Sequence, residues 1–296
     1  MSARAARVVA QAKINLGLRV LAREADGYHG IETVFARLEL GDEVTVRVTN
    51  GTRSLDCRGA DTGPVEQNLA WRAAMAMREA TGFPAGFAIT IEKKIPVGAG
   101  LGGGSADAGA VLRALNALSP EPVKREELLR IAATLGADVP FLTAELPFAF
   151  GSGRGEQLRS FPPLPERNVV LVQPGFSVST ADAYRWLDAD RGGEVPAARS
   201  TDTRPAVWTW DTIAPLTAND FEPVLARRHP VVADVVEGLR RAGAFVARLT
   251  GSGSNVYGIF AAPPDPAALK RALPYAILRT RTVTRVASVQ SIADRA

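Results

Sequence analysis

A run of small residues lies between a segment with strand periodicity and a segment with helix periodicity. Five of the seven residues from Gly98 to Gly104 are glycine. Before the run, the apolar side chains of Phe87, Ile89 and Ile91 alternate with smaller or polar ones, which predicts a strand. After it, apolar residues recur at helical spacing and predict an amphipathic helix over 105–118. A flexible linker would not join a strand to a helix this closely, so we expect an ordered loop.

An ordered loop of this composition is suited to binding an anion. Glycine lacks Cβ, so its backbone adopts positive φ and approaches a ligand closely. The backbone N–H groups then converge on the anion, and the N-terminus of the following helix adds a partial positive charge. We therefore predict that the loop binds nucleotide phosphates. Its residues are Pro96, Val97, Gly98, Ala99, Gly100, Leu101, Gly102, Gly103, Gly104, Ser105 and Ala106.

Two common nucleotide-binding motifs fit this loop poorly. Gly98, Gly100 and Gly103 have the spacing of a dinucleotide fingerprint, but the acidic residue expected about 20 positions later is missing. A Walker loop ends in Gly-Lys-Ser/Thr, whereas this run ends in Gly104-Ser105. The run is therefore expected to be a phosphate loop of another kind.

Length and composition indicate a globular protein. The chain has 296 residues, which suits two domains of ordinary size. Its hydrophobic fraction of 46% and charged fraction of 22% are typical of soluble proteins. No segment approaches the roughly 20 apolar residues of a membrane helix, and the apolar stretch near the N-terminus is too short for a signal peptide. The one cysteine, Cys57, excludes an internal disulfide. We therefore expect a cytoplasmic protein that does not bind a membrane.

The charge distribution argues against a nucleic-acid-binding protein. The net charge is +4, from 35 basic and 31 acidic residues. The sequence has no long block of like charges and no basic stretch interleaved with aromatic residues. Two interpretations of the excess charge stay open: a mixed solvated surface, or a local positive potential for an anionic substrate.

Strand and helix patterns follow one another without a steady rhythm, which predicts the α+β class. Asp42–Thr49 alternates as a half-buried strand, and Glu126–Leu135 has the pattern of a short helix. The proline-rich segment Phe161–Pro165 marks a boundary, so we predict domains at residues 1–162 and 163–296.

Beyond this boundary the patterns predict three more strands, one helix and an irregular segment, and the first of these strands is Val169–Val172. Val231–Leu239 has the spacing of a helix. Strands are expected at Arg248-Leu249 and Val256–Phe260, joined through a second run of small residues. Residues 188–211 are polar and interrupted by proline, and are predicted to form a long loop or a disordered insert.

The phosphate loop and five other motifs resemble those of the GHMP kinases, the superfamily named for galactokinase, homoserine kinase, mevalonate kinase and phosphomevalonate kinase. The resemblance runs from about Ala10 to Phe260. The loop is typical of the whole superfamily, whereas the Gly-Tyr-His and Gly-Ala-Asp-Val-Pro motifs are similar to the branch whose acceptor carries a cytidine diphosphate. The five motifs are Ala12–Leu16, Asp26–His29, Gly136–Phe141, Asn219–Glu222 and Leu249–Ser254.

This resemblance implies a fold and a reaction. The fold is the two-domain GHMP kinase fold, with a ribosomal-S5-like N-terminal domain, a ferredoxin-like C-terminal domain and the active site between them. ATP would be the co-substrate, and Mg²⁺ would bridge its phosphates, with Ser105 as the best candidate ligand. The acceptor would be a cytidyl diphosphate sugar alcohol of non-mevalonate isoprenoid biosynthesis, phosphorylated on its 2-hydroxyl. We expect a monomer or a weak homodimer.

Two catalytic residues are implied by the same resemblance. Asp138 lies in a mostly apolar segment, where a carboxylate is costly unless it is paired or used. On general grounds it could equally be a buried cap or a salt-bridge partner, but by resemblance it is the catalytic base. Lys13 would ordinarily lie on the solvent face of its strand. By resemblance it lies beside Asp138, keeps that carboxylate ionised and stabilises developing negative charge.

Four residues are implied to bind the acceptor. By resemblance, Tyr28 stacks on the cytosine ring and His29 hydrogen-bonds the edge of the base. Tyr184 would form the second aromatic wall, although packing of its helix explains it equally well. Asn15 projects to the same strand face as Lys13 and is expected to contact the acceptor.

Two more residues are implied to lie near the nucleotide, namely Asn68, which could also be a helix N-cap, and Lys93. The sequence departs from the family pattern at Arg154, where an apolar residue is usual, and at Asn255, where a smaller residue is common.

Other functions are less compatible with the sequence. Only two histidines occur, and Gly251-Ser252-Gly253 is too short for a hydrolase nucleophile elbow. Another GHMP kinase, acting on homoserine or a mevalonate-type alcohol, is the alternative enzyme. A non-catalytic nucleotide-binding regulator is the alternative outside catalysis, but it would have no need of both Lys13 and Asp138.

Overall fold

The structure is a computed structural model that describes residues 4–192 and 207–292. The strands in these residues are β1 (Ala5–Arg23), β2 (His29–Thr49), β3 (Arg53–Arg58), β4 (Gly86–Glu92), β5 (Phe148–Ser152), β6 (Gln157–Ser160), β7 (Asn168–Gln173), β8 (Val246–Leu249), β9 (Val256–Phe260), β10 (Ala276–Arg281) and β11 (Gln290–Ile292). The helices are α1 (Leu69–Thr81), α2 (Gly103–Leu118), α3 (Arg125–Ala133), α4 (Val139–Thr143), α5 (Thr180–Arg191), α6 (Trp210–Ile213), α7 (Phe221–Arg228), α8 (Val231–Arg241) and α9 (Pro266–Ala272).

The first sheet has seven strands and is built around the long β1–β2 hairpin. Its path is β11-β1-β2-β4-β3, and β5 pairs with β2 and β6 with β5. All pairs are antiparallel except β3–β4. The predicted strands at 42–49 and 87–91 lie within β2 and β4, where Val44, Val46 and Ile89 are buried. The β1–β2 register shifts on both sides of Lys13–Asn15, so this part of β1 departs from regular pairing.

Helices α1 to α4 pack in the same layered unit as this sheet. The predicted helix at 105–118 is α2, which begins two residues earlier, and the predicted helix at 126–135 corresponds to α3. Helix α2 is buried on nearly every side because most of its residues are small. A Cβ on its Gly109 would lie 2.6 Å from the backbone oxygen of Leu142, so this glycine permits close packing of α2 against α4.

The second sheet has four antiparallel strands in the order β10-β7-β9-β8. Both of its faces are covered, as the alternation along β9 shows. Tyr257 and Ile259 belong to the apolar cluster of the first sheet, whereas Val256 and Phe260 belong to a second cluster with α5, α7, α8 and α9. The three predicted strands and the predicted helix at 231–239 are present as β7, β8, β9 and α8. The α+β class is confirmed.

The segment predicted as an irregular insert over 188–211 is more ordered at both ends than expected. Helix α5 continues to Arg191, because Leu187 packs into the second apolar cluster. At the other end α6 begins at Trp210, which is 5% exposed and donates its indole N–H to the Pro165 carbonyl over 2.7 Å. The central residues 193–206 lie outside the described residues.

The first and last strands of the described region, β1 and β11, pair in the same sheet. Strand β11 pairs with the first residues of β1, with Ala6 opposite Ser291. The division into domains at residues 1–162 and 163–296 stays a prediction, and under it β11 would return to the sheet of the first domain. Of the helices in the described residues, none is both long and apolar enough to cross a membrane.

Candidate active site

A cavity of about 650 Å³ opens where loops from the two sheets face each other. Residues 95–105 form one wall and residues 251–253 form another. Lys13 and Asp138 also line it. Ten of the eleven predicted phosphate-loop residues border this space, and the last of them, Ala106, is buried in α2.

The phosphate loop has the backbone conformation that its glycines predict. Gly98, Gly100 and Gly102 have φ values of +70°, +71° and +70°, in the left-handed region that favours glycine. A Cβ on Gly100 would lie 2.2 Å from the carbonyl oxygen of Thr250, in the loop that joins β8 to β9, so the close approach of this second loop to the phosphate loop requires a glycine there. Helix α2 begins at Gly103 and directs its N-terminus towards the cavity edge formed by the loop.

The side chains of Asn219 and Asn15 fix the backbone of the second loop, which joins β8 to β9. Asn219 donates from Nδ2 to the backbone oxygens of Leu249, over 3.0 Å, and Gly251, over 2.9 Å. The backbone N–H of Gly251 donates to Oδ1 of Asn15 over 3.0 Å. The Thr250 hydroxyl donates to the Gly100 carbonyl over 3.2 Å, so the two loops contact each other directly.

Lys13 and Asp138 form an ion pair at the floor of the cavity. Nζ of Lys13 lies 3.1 Å from Oδ2 of Asp138. The lysine side chain is 4% exposed and the carboxylate is 28% exposed, so the carboxylate is the accessible member. Asp138 immediately precedes α4 and makes no side-chain capping bond, which excludes the helix-cap interpretation. The backbone N–H of Lys13 donates to Leu101, which ties the pair to the phosphate loop.

Asn15 connects this pair to the rest of the site. Its Oδ1 accepts hydrogen bonds from Nζ of Lys13, over 2.8 Å, and from the Gly251 N–H. Its Nδ2 donates to the Thr33 hydroxyl over 2.8 Å, and its carbonyl accepts from the Tyr257 hydroxyl. Asn15, predicted to contact the acceptor, lines the cavity but is only 3% exposed, and its side chain holds Nζ of Lys13.

A second cavity of about 1330 Å³ contains the three predicted aromatic residues. The rings of His29 and Tyr184 stack with centroids 5.0 Å apart and an interplanar angle of 25°. Burial, with the Asp138 and Asp188 carboxylates, raises the pKa of Tyr184 to about 12, so its phenol stays neutral. Tyr28 is 62% exposed at the turn between β1 and β2.

The two cavities adjoin. Both are lined by Ala137, Arg154, Thr180 and Tyr184. A single elongated molecule can therefore contact the aromatic residues with one end and the Lys13–Asp138 pair with the other.

Comparison with known proteins identifies the family. Family models for the GHMP kinases N terminal domain and the GHMP kinases C terminal match residues 68–145 and 209–277. The 4-diphosphocytidyl-2-C-methyl-D-erythritol kinase of Geobacter sp. (strain M21) is 41% identical over 258 residues, which cover 86% of this chain and 89% of that protein. The protein of the same name from Pelotomaculum thermopropionicum is 41% identical over 285 residues, covering 93% of this chain and 96% of that one.

The chain belongs to the 4-diphosphocytidyl-2-C-methyl-D-erythritol kinase family of GHMP kinases.

Solved structures agree with this family. A crystal structure of 4-(cytidine 5'-diphospho)-2C-methyl-D-erythritol kinase matches with a TM-score of 0.70 and 35% identity, over 93% of this chain and 98% of that one. Homoserine kinase from Cytophaga hutchinsonii also has a TM-score of 0.70, but at 19% identity it shows only that the fold is shared. The predicted GHMP kinase fold is confirmed, and the chain is an ATP-dependent small-molecule kinase.

Of the two residues expected near the nucleotide, Asn68 has a structural role as well. Its Oδ1 accepts from the Ala70 N–H over 2.9 Å and caps α1, as the alternative interpretation expected. Its Nδ2 donates to the Thr62 hydroxyl over 3.2 Å. Both Asn68 and Thr62 nevertheless line the cavity beside the phosphate loop.

Lys93 lies between two carboxylates that the sequence analysis missed. Its Nζ is 2.5 Å from Oδ2 of Asp42 and 2.6 Å from Oδ2 of Asp107. Asp42 also accepts the backbone N–H groups of Lys94 and Ile95 through Oδ1, which leaves Asp107 as the less satisfied carboxylate. Burial, opposed by the Lys93 charge, raises the pKa of Asp107 to about 7. The sequence signal that could have revealed this cluster is the presence of Asp42, Lys93 and Asp107 in segments that are otherwise largely buried.

Two residues around Tyr28 and His29 were also not predicted as part of the site. Oδ1 of Asp188 lies 2.8 Å from Nε2 of His29. The Arg154 guanidinium lies over the Tyr28 ring, 4.3 Å from its centroid, and pairs with Glu24 and with Asp26. Arg154 had been noted only as a departure from the family pattern, and no sequence signal linked Asp188 to His29.

In the described part of the chain, no group of three or more His, Cys, Asp or Glu residues could hold a metal ion. Ser105 lines the cavity in the first turn of α2. Magnesium commonly keeps several waters and is bound through substrate phosphates with few protein ligands. A single hydroxyl beside the phosphate loop is compatible with that type of coordination.

Proposed function

We propose that this protein transfers the γ-phosphate of ATP to the 2-hydroxyl of 4-diphosphocytidyl-2-C-methyl-D-erythritol, in non-mevalonate isoprenoid biosynthesis. The observation that carries the proposal is the shared wall between the two cavities. The aromatic cavity suits a pyrimidine ring, and the other cavity contains a carboxylate, a lysine and a phosphate loop. A nucleoside diphosphate joined to a small polyol has the length and the chemistry to occupy both.

In this mechanism Asp138 accepts the proton of the attacking hydroxyl. Its carboxylate is the accessible member of the ion pair, and Lys13 lies 3.1 Å behind it. The buried ammonium stabilises negative charge on the acceptor oxygen as the proton leaves. Asn15 is a positioning residue here, because it holds Nζ of Lys13 in place.

The phosphate loop would bind and orient ATP. Positive φ at Gly98, Gly100 and Gly102 frees the backbone for close contact with phosphate oxygens. The N-terminus of α2 adds partial positive charge at the same place. Mg²⁺ bound to ATP would supply charge neutralisation of the phosphates, with Ser105 as its protein ligand. Asn68 and Lys93 would line the nucleotide site, the latter held by Asp42 and Asp107.

At the other end, Tyr28 and Tyr184 would contact the faces of the cytosine and His29 its edge. Stacking of a base on an aromatic side chain contributes roughly 1–3 kcal/mol. Neither homoserine nor mevalonate carries a base that could stack on these aromatic residues. This cavity therefore favours the cytidyl acceptor over those alternatives. We further propose that the protein acts in the cytoplasm as a monomer or a weak homodimer, without binding nucleic acid or membranes.

The decisive experiment compares acceptors in an assay coupled to ADP release. The purified protein is supplied with ATP, Mg²⁺ and, separately, the cytidyl substrate, homoserine or mevalonate. We expect turnover with the cytidyl substrate at a kcat/KM at least about 100-fold above either other alcohol. Equal or greater turnover of homoserine or mevalonate would contradict the proposed acceptor while leaving the kinase family intact. An Asp138→Asn variant controls for contaminating kinases.

A further inference from the structure

The imidazole of His29 has a carboxylate partner that the mechanism above does not use. Nε2 of His29 lies 2.8 Å from Oδ1 of Asp188 in helix α5. The histidine side chain is 6% exposed, and the aspartate side chain is 37% exposed. Tyr184, one turn earlier in α5, stacks on the same imidazole. The ring is therefore restrained on one face and at one edge by residues of a single helix.

The partner on Nε2 decides what the other ring nitrogen can do. An ionised carboxylate only accepts hydrogen bonds, so in a neutral imidazole the proton lies on Nε2. Nδ1 then carries a lone pair and is an acceptor. Within the residues that the structure describes, Nδ1 has no hydrogen-bond partner, and His29 lines the aromatic cavity. An acceptor is thus left for a ligand in that cavity.

We propose that Asp188 is a positioning residue that determines base specificity, by holding His29 in the tautomer whose Nδ1 accepts a hydrogen bond from an exocyclic amino group. This inference rests on the proposed function, because it concerns the base of the cytidyl acceptor. Cytosine presents an amino group at position 4, whereas uracil presents a carbonyl oxygen there. In this tautomer Nδ1 accepts a hydrogen bond from the amino group of cytosine. With uracil, Nδ1 and the carbonyl oxygen are both acceptors and face each other without a proton between them.

Without the carboxylate this discrimination should weaken. A neutral imidazole free of Asp188 can carry its proton on either nitrogen. With the proton on Nδ1 it donates to the carbonyl of uracil, so both bases find a matching partner. In the native protein the same change would turn a lone pair on Nε2 towards the Asp188 carboxylate, which is unfavourable. The aspartate therefore acts mainly against uracil, and its removal should improve uridine binding more than it harms cytidine binding.

The test measures the affinities of CDP and UDP by calorimetry for the native protein and an Asp188→Leu variant. The matched control is Asp182→Leu, because Asp182 lies in the same helix, is also 37% exposed and pairs with Arg185 rather than with His29. We expect the native protein and the control to prefer CDP, and the CDP/UDP affinity ratio to fall about fivefold or more in Asp188→Leu, since a mismatched buried polar group costs a factor of this order or larger.

A spectroscopic readout separates tautomer control from a merely structural effect. The chain has only two histidines, so ¹⁵N-histidine spectra with a His229→Gln variant assign His29 unambiguously. We expect the Nε2–H tautomer in the native protein and a mixture in Asp188→Leu. An Nδ1–H or doubly protonated His29 in the native protein near neutral pH, or an unchanged CDP/UDP ratio in Asp188→Leu, would overturn the inference. Failure of the native protein to bind either nucleotide would instead contradict the proposed function. The two failures are distinguishable, because the spectra measure the tautomer of His29 without any ligand.

Discussion

Lys13 and Asp138 form an ion pair whose two members differ in solvent access, with Nζ 3.1 Å from Oδ2 and side chains that are 4% and 28% exposed. Nζ of Lys13 donates a hydrogen bond to Oδ1 of Asn15, and the carboxylate of Asp138 lines the cavity. The carboxylate is therefore the member of the pair that an acceptor hydroxyl can reach. The first substitution below tests this group.

Replacing Asp138 with asparagine should abolish most turnover while leaving the fold and ATP affinity intact. The amide has the same shape but cannot accept the proton, and general-base assistance contributes about 10²–10⁴-fold. Steady-state kinetics give kcat, and calorimetry gives the affinity for ATP. A variant that retains a third or more of native turnover would exclude Asp138 as the base.

A valine at Gly102 should weaken ATP binding far more than binding of the acceptor. Gly102 has a φ of +70°, and a Cβ there would lie 3.1 Å from the Lys13 side chain and 3.2 Å from Leu142. The loop would have to shift away from the conformation that approaches phosphates. Calorimetry with ATP and with CDP measures the two affinities.

Gly82→Val is the matched control for that substitution. Gly82 has a φ of +74° at the end of α1, with open space around the Cβ position, so it introduces similar backbone strain away from the loop. Both variants should lose stability, but only Gly102→Val should lose ATP affinity. Equal ATP affinity in the two variants would contradict the role of the loop.

Alanine at Tyr28 should raise the KM for the cytidyl substrate and leave the KM for ATP nearly unchanged. Loss of one stacking partner costs roughly 1–3 kcal/mol, or about 5- to 150-fold in affinity. The side chain is 62% exposed, so its removal should cost little folding stability. Kinetics with each substrate varied separately provide the measurement. A native-like KM for the cytidyl substrate would remove the main support for base stacking at this residue.

The carboxyl of Asp107 should make the folded state less stable as pH rises. Burial raises its pKa to about 7 from an ordinary value of 3.8. Between these values the folded state binds the proton that the unfolded state has released, so this group's contribution to stability decreases from about pH 4 to pH 7. A difference of about three pKa units limits the effect to at most about 4 kcal/mol.

Urea unfolding of the native protein and Asp107→Asn at several pH values tests this contribution. The asparagine variant should lose less stability between pH 4 and 7 than the native protein, because it cannot release a proton. Asp56→Asn, at an exposed carboxylate, is the control and should follow the native pH dependence. Parallel curves for the native protein and Asp107→Asn would show that Asp107 stays ionised beside Lys93 throughout this range.

Local features were predictable from the sequence because their causes are local. Alternation of apolar residues predicted the strands at 42–49 and 87–91, and helical spacing predicted α2 and α3. The glycines of the phosphate loop predicted backbone at positive φ before a helix N-terminus. Motif resemblance predicted the family, which the comparisons with curated kinases confirmed.

The segment predicted as an insert shows where local reasoning failed. Its polar composition concealed one packing position, Trp210 in α6, and Leu187 in α5 packs immediately before the segment; each contacts residues distant in the sequence. Burial of a few apolar side chains was enough to order the ends of the segment. Composition averaged over a window does not register such isolated contacts.

By itself, the sequence determined the class of fold, the backbone conformation of the glycine-rich loop and the kinase family, since periodicity and motif order are properties of neighbouring residues. Only the tertiary structure decided the partners of the site residues: Asn15 under Lys13, Asp42 and Asp107 around Lys93, and Asp188 on His29. The contacts at Lys93 and His29 join separate elements, and Asn15, only two residues from Lys13, is itself held by Thr33 and Gly251 from other elements. Such contacts depend on how the sheets and helices pack and on which charges become buried together, and no spacing rule within one segment specifies either.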